Sequence, residues 1–231
     1  MPLHDVCLTR AGILRGARQL APLSLFVIPF GLAYGVAAVE AGMSAAQAIT
    51  ASALTFSGAA QFTALDLWGP DISLIALVLV TLAVSARHVI MGAALSPWVN
   101  QLGSQQRVLS AVFLSDPNFA HTHYALKQGQ RDVGVLIGSG AIGWAAWVIG
   151  TAIGAIGGNQ LGDPAAYGID VLMPVYFAAL VLPRVQARSQ WAFAGVAALV
   201  AVVLDPVLPS GWNVILAAIA GGLVGVRAAN G

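Results

Sequence analysis

The feature that most constrains the fold is a series of long apolar segments, which together occupy most of the 231 residues. Hydrophobic residues make up 58% of the chain and charged residues only 8%, whereas soluble domains carry about 25% charged residues. A soluble protein of this size cannot cover its surface with so few charges, but a surface that faces lipid does not need them. The sequence therefore predicts an all-α protein, a polytopic bundle of transmembrane helices.

Eight apolar segments follow one another along the chain, and most approach the ~20 helical residues that cross a bilayer. They cover approximately residues 19–39, 45–67, 72–95, 108–126, 133–157, 171–182, 191–204 and 214–226. The segments 45–67 and 108–126 are only moderately apolar, so each either crosses fully or enters and returns. Because both are long enough to cross, we favour crossing and expect about seven to eight membrane segments.

The orientation follows from the basic residues, which concentrate in cytoplasmic loops of membrane proteins. Both termini are therefore predicted to be cytoplasmic, with residues 1–18 as an N-terminal tail. The loops are short and contain no linker, so residues 1–231 are expected to form a single transmembrane domain. The basic residues that set this orientation are Arg10, Arg15, Arg18, Lys127, Arg131, Arg184, Arg188 and Arg227.

The first candidate site is the run Phe-Ser-Gly-Ala-Ala-Gln-Phe at residues 56–62. Small residues such as Gly58 let a ligand or a neighbouring helix approach the backbone, and a broken helix exposes polar backbone groups. Ser57 offers a hydroxyl, and Gln61 both donates and accepts hydrogen bonds, which suits a zwitterion. A simple packing seam of small residues explains the same pattern equally well.

The second candidate is the pair Arg87-His88, late in a strongly apolar segment. The permanent charge of Arg87 suits a carboxylate, and the imidazole of His88 is a candidate for proton coupling. The alternative is a pair that extends to the membrane interface without binding anything.

The third candidate is Asp116-Pro117-Asn118. Pro117 breaks a helix locally, and Asp116 beside such a break is suited to a cation, a proton or an amino group, with Asn118 next to it. The alternative is a polar turn where a re-entrant segment reverses. His121 and His123 follow, but their spacing puts them on different helix faces, so no metal site is expected.

The fourth candidate is Pro29, which lies in the middle of the first apolar segment and should kink it. Such a kink suits a gated central site, but a purely structural kink is an equal alternative.

Several protein classes are disfavoured by the motifs that the sequence lacks. No nucleotide-binding loop, nucleophile elbow or zinc-protease motif is present. We therefore expect no enzyme activity, no cofactor, no metal and no nucleic-acid partner.

The order of these motifs resembles the AzlC family, the large subunit (permease) of branched-chain amino acid exporters. The resemblance extends over nearly the whole chain, and its most specific parts are the Gly-Ala-Ala-Gln-Phe and Arg-His pieces. The residues that carry it are Pro22, 29–35, 56–62, 85–92, 168–170, Pro174, Phe177, Leu180 and 221–225. Two positions depart from the usual family pattern: Ser85 stands where asparagine is usual, and Pro117 where glutamate is frequent.

The resemblance implies a secondary transporter in the bacterial cytoplasmic (inner) membrane. It would export branched-chain amino acids, with methionine as a further candidate substrate, and would work with a small membrane subunit of the AzlD type. The alternative function is a non-transporting membrane scaffold or assembly subunit, in which the polar residues only join helices.

Overall fold

The computed structural model describes residues 6–65, 67–69, 74–161, 188–208 and 212–229, and this part of the chain is all-helical, as the sequence predicts. The predicted segment 171–182 and the motif residues 168–170, Pro174, Phe177 and Leu180 lie outside the described residues. The helices are α1 (Arg10–Leu25), α2 (Val27–Glu40), α3 (Ala45–Leu54), α4 (Gly58–Leu65), α5 (Leu74–Ser85), α6 (Arg87–Val99), α7 (Ser104–Val112), α8 (Asp116–Lys127), α9 (Gly134–Leu161), α10 (Arg188–Leu204) and α11 (Trp212–Ala229).

Four of the predicted apolar segments are interrupted helices. The first is divided between α1 and α2, the second between α3 and α4, the third between α5 and α6, and the fourth between α7 and α8. The predicted tail 1–18 contains the first half of α1, which begins at Arg10. The candidate motifs at 56–62, 87–88 and 116–118 therefore all lie at helix breaks.

The bend between α1 and α2 has an identifiable cause in Pro29. The two helices meet at 58° around Phe26. Proline lacks an N–H and its ring excludes the carbonyl four residues earlier, which here belongs to Leu25. At the same point, the amide of Phe26 donates to the carbonyl of Leu23 at 3.1 Å, so the regular helical pattern of hydrogen bonds is interrupted there. The predicted kink in the first segment is confirmed.

Among the described residues, one helix is long and apolar enough to cross a membrane alone, namely the stretch Gly134–Gly157 of α9. The bent pair α1–α2 passes the same test if it is counted as one span. The interrupted pairs need both of their helices to reach a membrane thickness. The number of membrane segments, and whether 45–67 and 108–126 cross or return, therefore stays a prediction.

The chain divides into two compact units, residues 1–58 with 86–172 and residues 59–85 with 173–231. The single transmembrane domain stays a prediction. In the first unit, α9 packs along α1, α2 and α3. A buried apolar cluster joins α6, α8 and the start of α9 through residues such as Leu95, Leu126 and Leu136.

The N-terminal residues are attached to the start of α9 in this first unit. The amide of Cys7 donates to the carbonyl of Arg131 at 3.0 Å, and the amide of Val133 donates to Cys7 at 2.8 Å. These bonds place the beginning of α1 beside the beginning of α9, so the two helices run together from their first turns.

In the second unit, α10 packs against α11, and α11 also contacts α5. The close approach of α10 and α11 needs a small residue, because a Cβ on Gly221 would lie 3.0 Å from the carbonyl oxygen of Phe193 and from the Cβ of Ala197. A smaller buried cluster joins Ala60 of α4 to Val84 of α5.

Candidate functional site

The break between α3 and α4 buries a hydroxyl that has no partner. Residues 55–57 are not helical, and the amide of Ser57 donates back to the carbonyl of Thr55 at 2.8 Å. The side chain of Ser57 is buried, and within the described part of the chain its Oγ atom makes no hydrogen bond. A buried polar atom without a partner costs about 1–3 kcal/mol, so packing alone gives no reason for a serine at this position.

Gly58, by contrast, has a packing explanation. A Cβ on Gly58 would lie 2.8 Å from the Cη2 atom of the Trp147 ring. That ring is buried and stacks on Tyr34 with 6.0 Å between the ring centroids. Glycine is therefore required here so that the aromatic pair can occupy the space, whether or not a substrate also binds.

Gln61 lies in α4 and belongs to the second unit. Its side chain is only 4% exposed. A buried amide needs hydrogen-bond partners, and this residue does interact with its surroundings. The substrate-binding role that the sequence suggests for Gln61 stays a prediction.

Arg87 and Asp116 form an ion pair, which joins two candidates that lie 29 positions apart in the sequence. The Nη2 atom of Arg87 is 3.1 Å from Oδ2 of Asp116, and the two side chains are 34% and 33% exposed. Arg87 is the first residue of α6 and Asp116 the first residue of α8. The Nε atom of Arg87 is buried and has no hydrogen-bond partner among the residues that the structure describes. The pair is thus neither sealed from its surroundings nor complete in its hydrogen bonds.

His88 follows Arg87 on α6 and is half-buried. Pro29 lies in the first turn of α2, just after the bend that it causes. A part for either residue in binding a solute stays a prediction.

Asn118 has a structural explanation. Its side chain is fully buried, and its Oδ1 atom accepts from the amide of Ser115 at 2.7 Å and from the Ser115 hydroxyl at 3.2 Å. Its Nδ2 atom donates to the carbonyl of Phe113, and to that of Leu136 in α9 at 3.2 Å. All four bonds that an asparagine amide can make are therefore made within the chain. This side chain fixes the start of α8, the helix that positions Asp116.

Sequence reasoning did not single out Thr122, which lies one turn after Asn118 on α8. It is buried, and none of the described residues forms a hydrogen bond with its Oγ1 atom. The only signal in the sequence was its spacing of four from Asn118, which places both side chains on one face of a helix. His121, its neighbour in sequence, has its Nε2 atom 3.0 Å from the Oε1 atom of Gln19 in α1.

Comparison with known protein families matches residues 22–161 to the family model "AzlC protein". The chain belongs to the AzlC family. The resemblance that the motifs predicted is confirmed, and the matched region contains every described candidate residue.

Relatives of this AzlC family member are named as membrane proteins. The inner membrane protein YgaZ of Escherichia coli is 29% identical, over 78% of this chain and 76% of its own length. An uncharacterized membrane protein of Archaeoglobus fulgidus is 30% identical over 72% of this chain and 73% of its own, and one of Helicobacter pylori is 26% identical over 75% of each chain. No solved structure matches. These relatives agree with the apolar composition in supporting a membrane location.

Proposed function

We propose that the protein is a multi-pass secondary transporter of the bacterial cytoplasmic membrane that exports branched-chain amino acids, with methionine as a further candidate. In this proposal it works together with a small membrane subunit of the AzlD type. Membership of the AzlC family supports the class of protein, and the resemblance of the motifs supports the substrate class.

The observation that carries the proposal is the exposure of the Arg87–Asp116 ion pair. Charged side chains at membrane depth are costly, and they normally face the interior of a bundle or a water-filled cavity. Both members of this pair are about one-third exposed. A partly exposed ion pair within an apolar segment fits the wall of a solute pathway better than a contact that only joins two helices.

The buried hydroxyls of Ser57 and Thr122 add support, since neither has a hydrogen-bond partner in the described ranges of the chain. A scaffold whose polar residues only join helices would be expected to satisfy them. The fully bonded Asn118 fits the scaffold alternative, so the choice between transporter and scaffold needs a measurement of flux.

The direct test is flux from proteoliposomes loaded with radiolabelled valine, leucine, isoleucine and methionine. The chain is reconstituted with the small subunit, without it, and as empty vesicles. Efflux that exceeds that of the empty vesicles supports the transporter. Efflux equal to that of empty vesicles in both preparations would support the scaffold instead.

Matched variants then test the buried amide of Gln61. Gln61→Ala should lower valine efflux while the protein stays in the membrane, and Gln105→Ala, at an exposed position of α7, should leave efflux unchanged. Equal efflux from the two variants would remove Gln61 from the proposed site.

A further inference from the structure

We propose that the Arg87–Asp116 ion pair is the receptor for the two charges of the amino acid. The α-carboxylate of the substrate takes the place of Asp116 on the guanidinium of Arg87, and the α-ammonium group binds the carboxylate that has been released. This inference rests on the proposed transport of amino acids and adds which residue holds which charge.

The exposure of the pair allows such an exchange. Arg87 and Asp116 are 34% and 33% exposed, whereas Asn118, two residues further along α8, is fully buried. The start of α8 therefore buries its structural amide and leaves its charged side chain partly exposed.

The hydrogen bonds of Arg87 are incomplete in a way that suits a second carboxylate. The Oδ2 atom of Asp116 lies 3.1 Å from Nη2, but the buried Nε finds no partner among the described residues. The Nε and Nη2 groups lie on the same edge of the guanidinium plane, and that edge binds a carboxylate through two parallel hydrogen bonds. A substrate carboxylate that bonds both atoms would satisfy a donor that Asp116 leaves unpaired.

The carboxylate of Asp116 stays stabilised when its ion pair with Arg87 is broken. It is the first residue of α8, where the partial positive charge of a helix N-terminus favours a carboxylate. The break before it is held by Ser115 and Asn118, whose bonds do not depend on Arg87. Asp116 is thus stabilised in both arrangements, and the incoming ammonium group replaces the cation that it loses.

The exchange conserves charge, and this determines what the site accepts. An empty site holds one cation and one anion, and the occupied site holds two of each, so every charge keeps a partner. A ligand with a carboxylate alone would leave Asp116 without its cation, and an amine alone would leave Arg87 without an anion. Unpaired charges are strongly penalised away from water, so ligands with only one charge should be rejected.

The first experiment compares valine with analogues that lack one charge each. Binding to the full chain, reconstituted with the small subunit in proteoliposomes, is measured by competition against radiolabelled valine. We expect 3-methylbutanoate, which lacks the ammonium group, and 2-methylpropylamine, which lacks the carboxylate, to bind at least about tenfold more weakly than valine. Alanine and methionine, which keep both charges, are included as further zwitterions.

The second experiment separates the two partners by substitution. Asp116→Asn should weaken valine at least about tenfold but weaken 3-methylbutanoate little, because Arg87 keeps its role and loses its competitor. Arg87→Gln should weaken valine as strongly and leave 2-methylpropylamine little changed. The matched control is Arg107→Gln, at an exposed arginine on α7, and it should bind all three ligands like the original chain.

The charge-exchanged variant Arg87→Asp with Asp116→Arg tests the purely structural explanation. A structural ion pair predicts that this double variant recovers valine binding, because the pair is re-formed. If the pair instead binds substrate, valine binding should not be recovered. The carboxylate of valine would then meet the aspartate at position 87, and its ammonium group would meet the arginine at position 116.

The outcomes separate this inference from the proposed function. If valine binds more tightly than its two singly charged analogues but no flux is seen, the binding role of the Arg87–Asp116 pair is supported and transport is contradicted. Flux with analogues that compete as well as valine, or recovery of binding in the charge-exchanged variant, overturns the receptor while transport stands. The receptor is likewise overturned if no zwitterion in the panel binds the original chain.

Discussion

Gly31 of α2 lies against the main chain of Trp147 in α9, so closely that a Cβ on Gly31 would overlap the carbonyl oxygen of Trp147 and approach the amide of Thr151 to 3.0 Å. The same relationship recurs along the whole contact between α9 and the helices α1 and α2. It involves glycines spaced four apart on both sides, an arrangement that lets helices pack backbone to backbone in membranes. These glycines are Gly12, Gly16, Gly31, Gly35, Gly134, Gly138, Gly150 and Gly154.

Substitution within this glycine contact should be costly, and α9 offers its own control. A Cβ on Gly154 would overlap the backbone of Leu32, whereas one on Gly157 would meet nothing within 4 Å. We expect Gly154→Ala to destabilise the protein by about 2 kcal/mol or more, since overpacking costs about 1–3 kcal/mol. Gly157→Ala should be neutral or stabilise by up to about 1 kcal/mol, because alanine favours helix. Unfolding midpoints in one detergent measure the difference, and equal midpoints would contradict this packing.

Asn118 should be needed for folding. Asn118→Ala removes four hydrogen bonds at the start of α8, and at about 1 kcal/mol for each bond we expect a loss of about 2–4 kcal/mol. Asn100→Ala, at the exposed end of α6, should change stability little. The measurement is the unfolding midpoint together with the amount of protein in the membrane. If Asn118→Ala loses transport while its stability is unchanged, the residue contacts substrate and is not a structural cap.

Ser57 and Ser52 should respond in opposite ways to the same substitution. The hydroxyl of Ser57 is buried without a partner, so Ser57→Ala should leave stability unchanged or raise it by about 1 kcal/mol. The hydroxyl of Ser52 lies 2.8 Å from that of Thr151 in α9, so Ser52→Ala should lower stability by about 1 kcal/mol.

A measurement of transport tests whether the hydroxyl of Ser57 contacts the solute. Reduced valine efflux in Ser57→Ala, at unchanged thermal stability, would assign its hydroxyl to the solute pathway. Normal efflux in that variant would remove Ser57 from the site.

Asp132 should hold the N-terminal segment against α9. Its carboxylate accepts from the amide of Thr9 at 3.0 Å, from the Thr9 hydroxyl, and from the amide of Gly134 at 2.9 Å. We expect Asp132→Ala to increase amide hydrogen exchange at residues 6–9, because their bonds to the start of α9 lose support. The control is Asp205→Ala, which removes a carboxylate that binds Asn213 in the second unit. Unchanged amide exchange at residues 6–9 would show that the backbone hydrogen bonds of Cys7 with Arg131 and Val133 hold this segment against α9 without Asp132.

The sequence by itself determined the class of the protein. So few charges on so apolar a chain are compatible with a helical protein in lipid, and this follows from composition without any contact between residues. The bend near Pro29 was also predictable, because proline acts on the carbonyl four residues before it in the same helix. The family could be recognised from short motifs, since these are local strings of residues and their order.

Only the tertiary structure decided how the candidate residues relate to one another. Arg87 and Asp116 were separate candidates in the sequence analysis, because their pairing depends on how α6 and α8 pack against each other, which no local pattern encodes. The substrate-binding role suggested for Asn118 stays a prediction, and only the tertiary structure shows the four hydrogen bonds that its amide makes within the chain. The glycines of α9 form a contact only because their spacing matches that of the glycines in α1 and α2. The physical reason is the same in each case. Local propensity depends on neighbours within a few residues, whereas the pairing of charges, the hydrogen bonds of buried groups and close packing depend on contacts between helices that are distant in sequence.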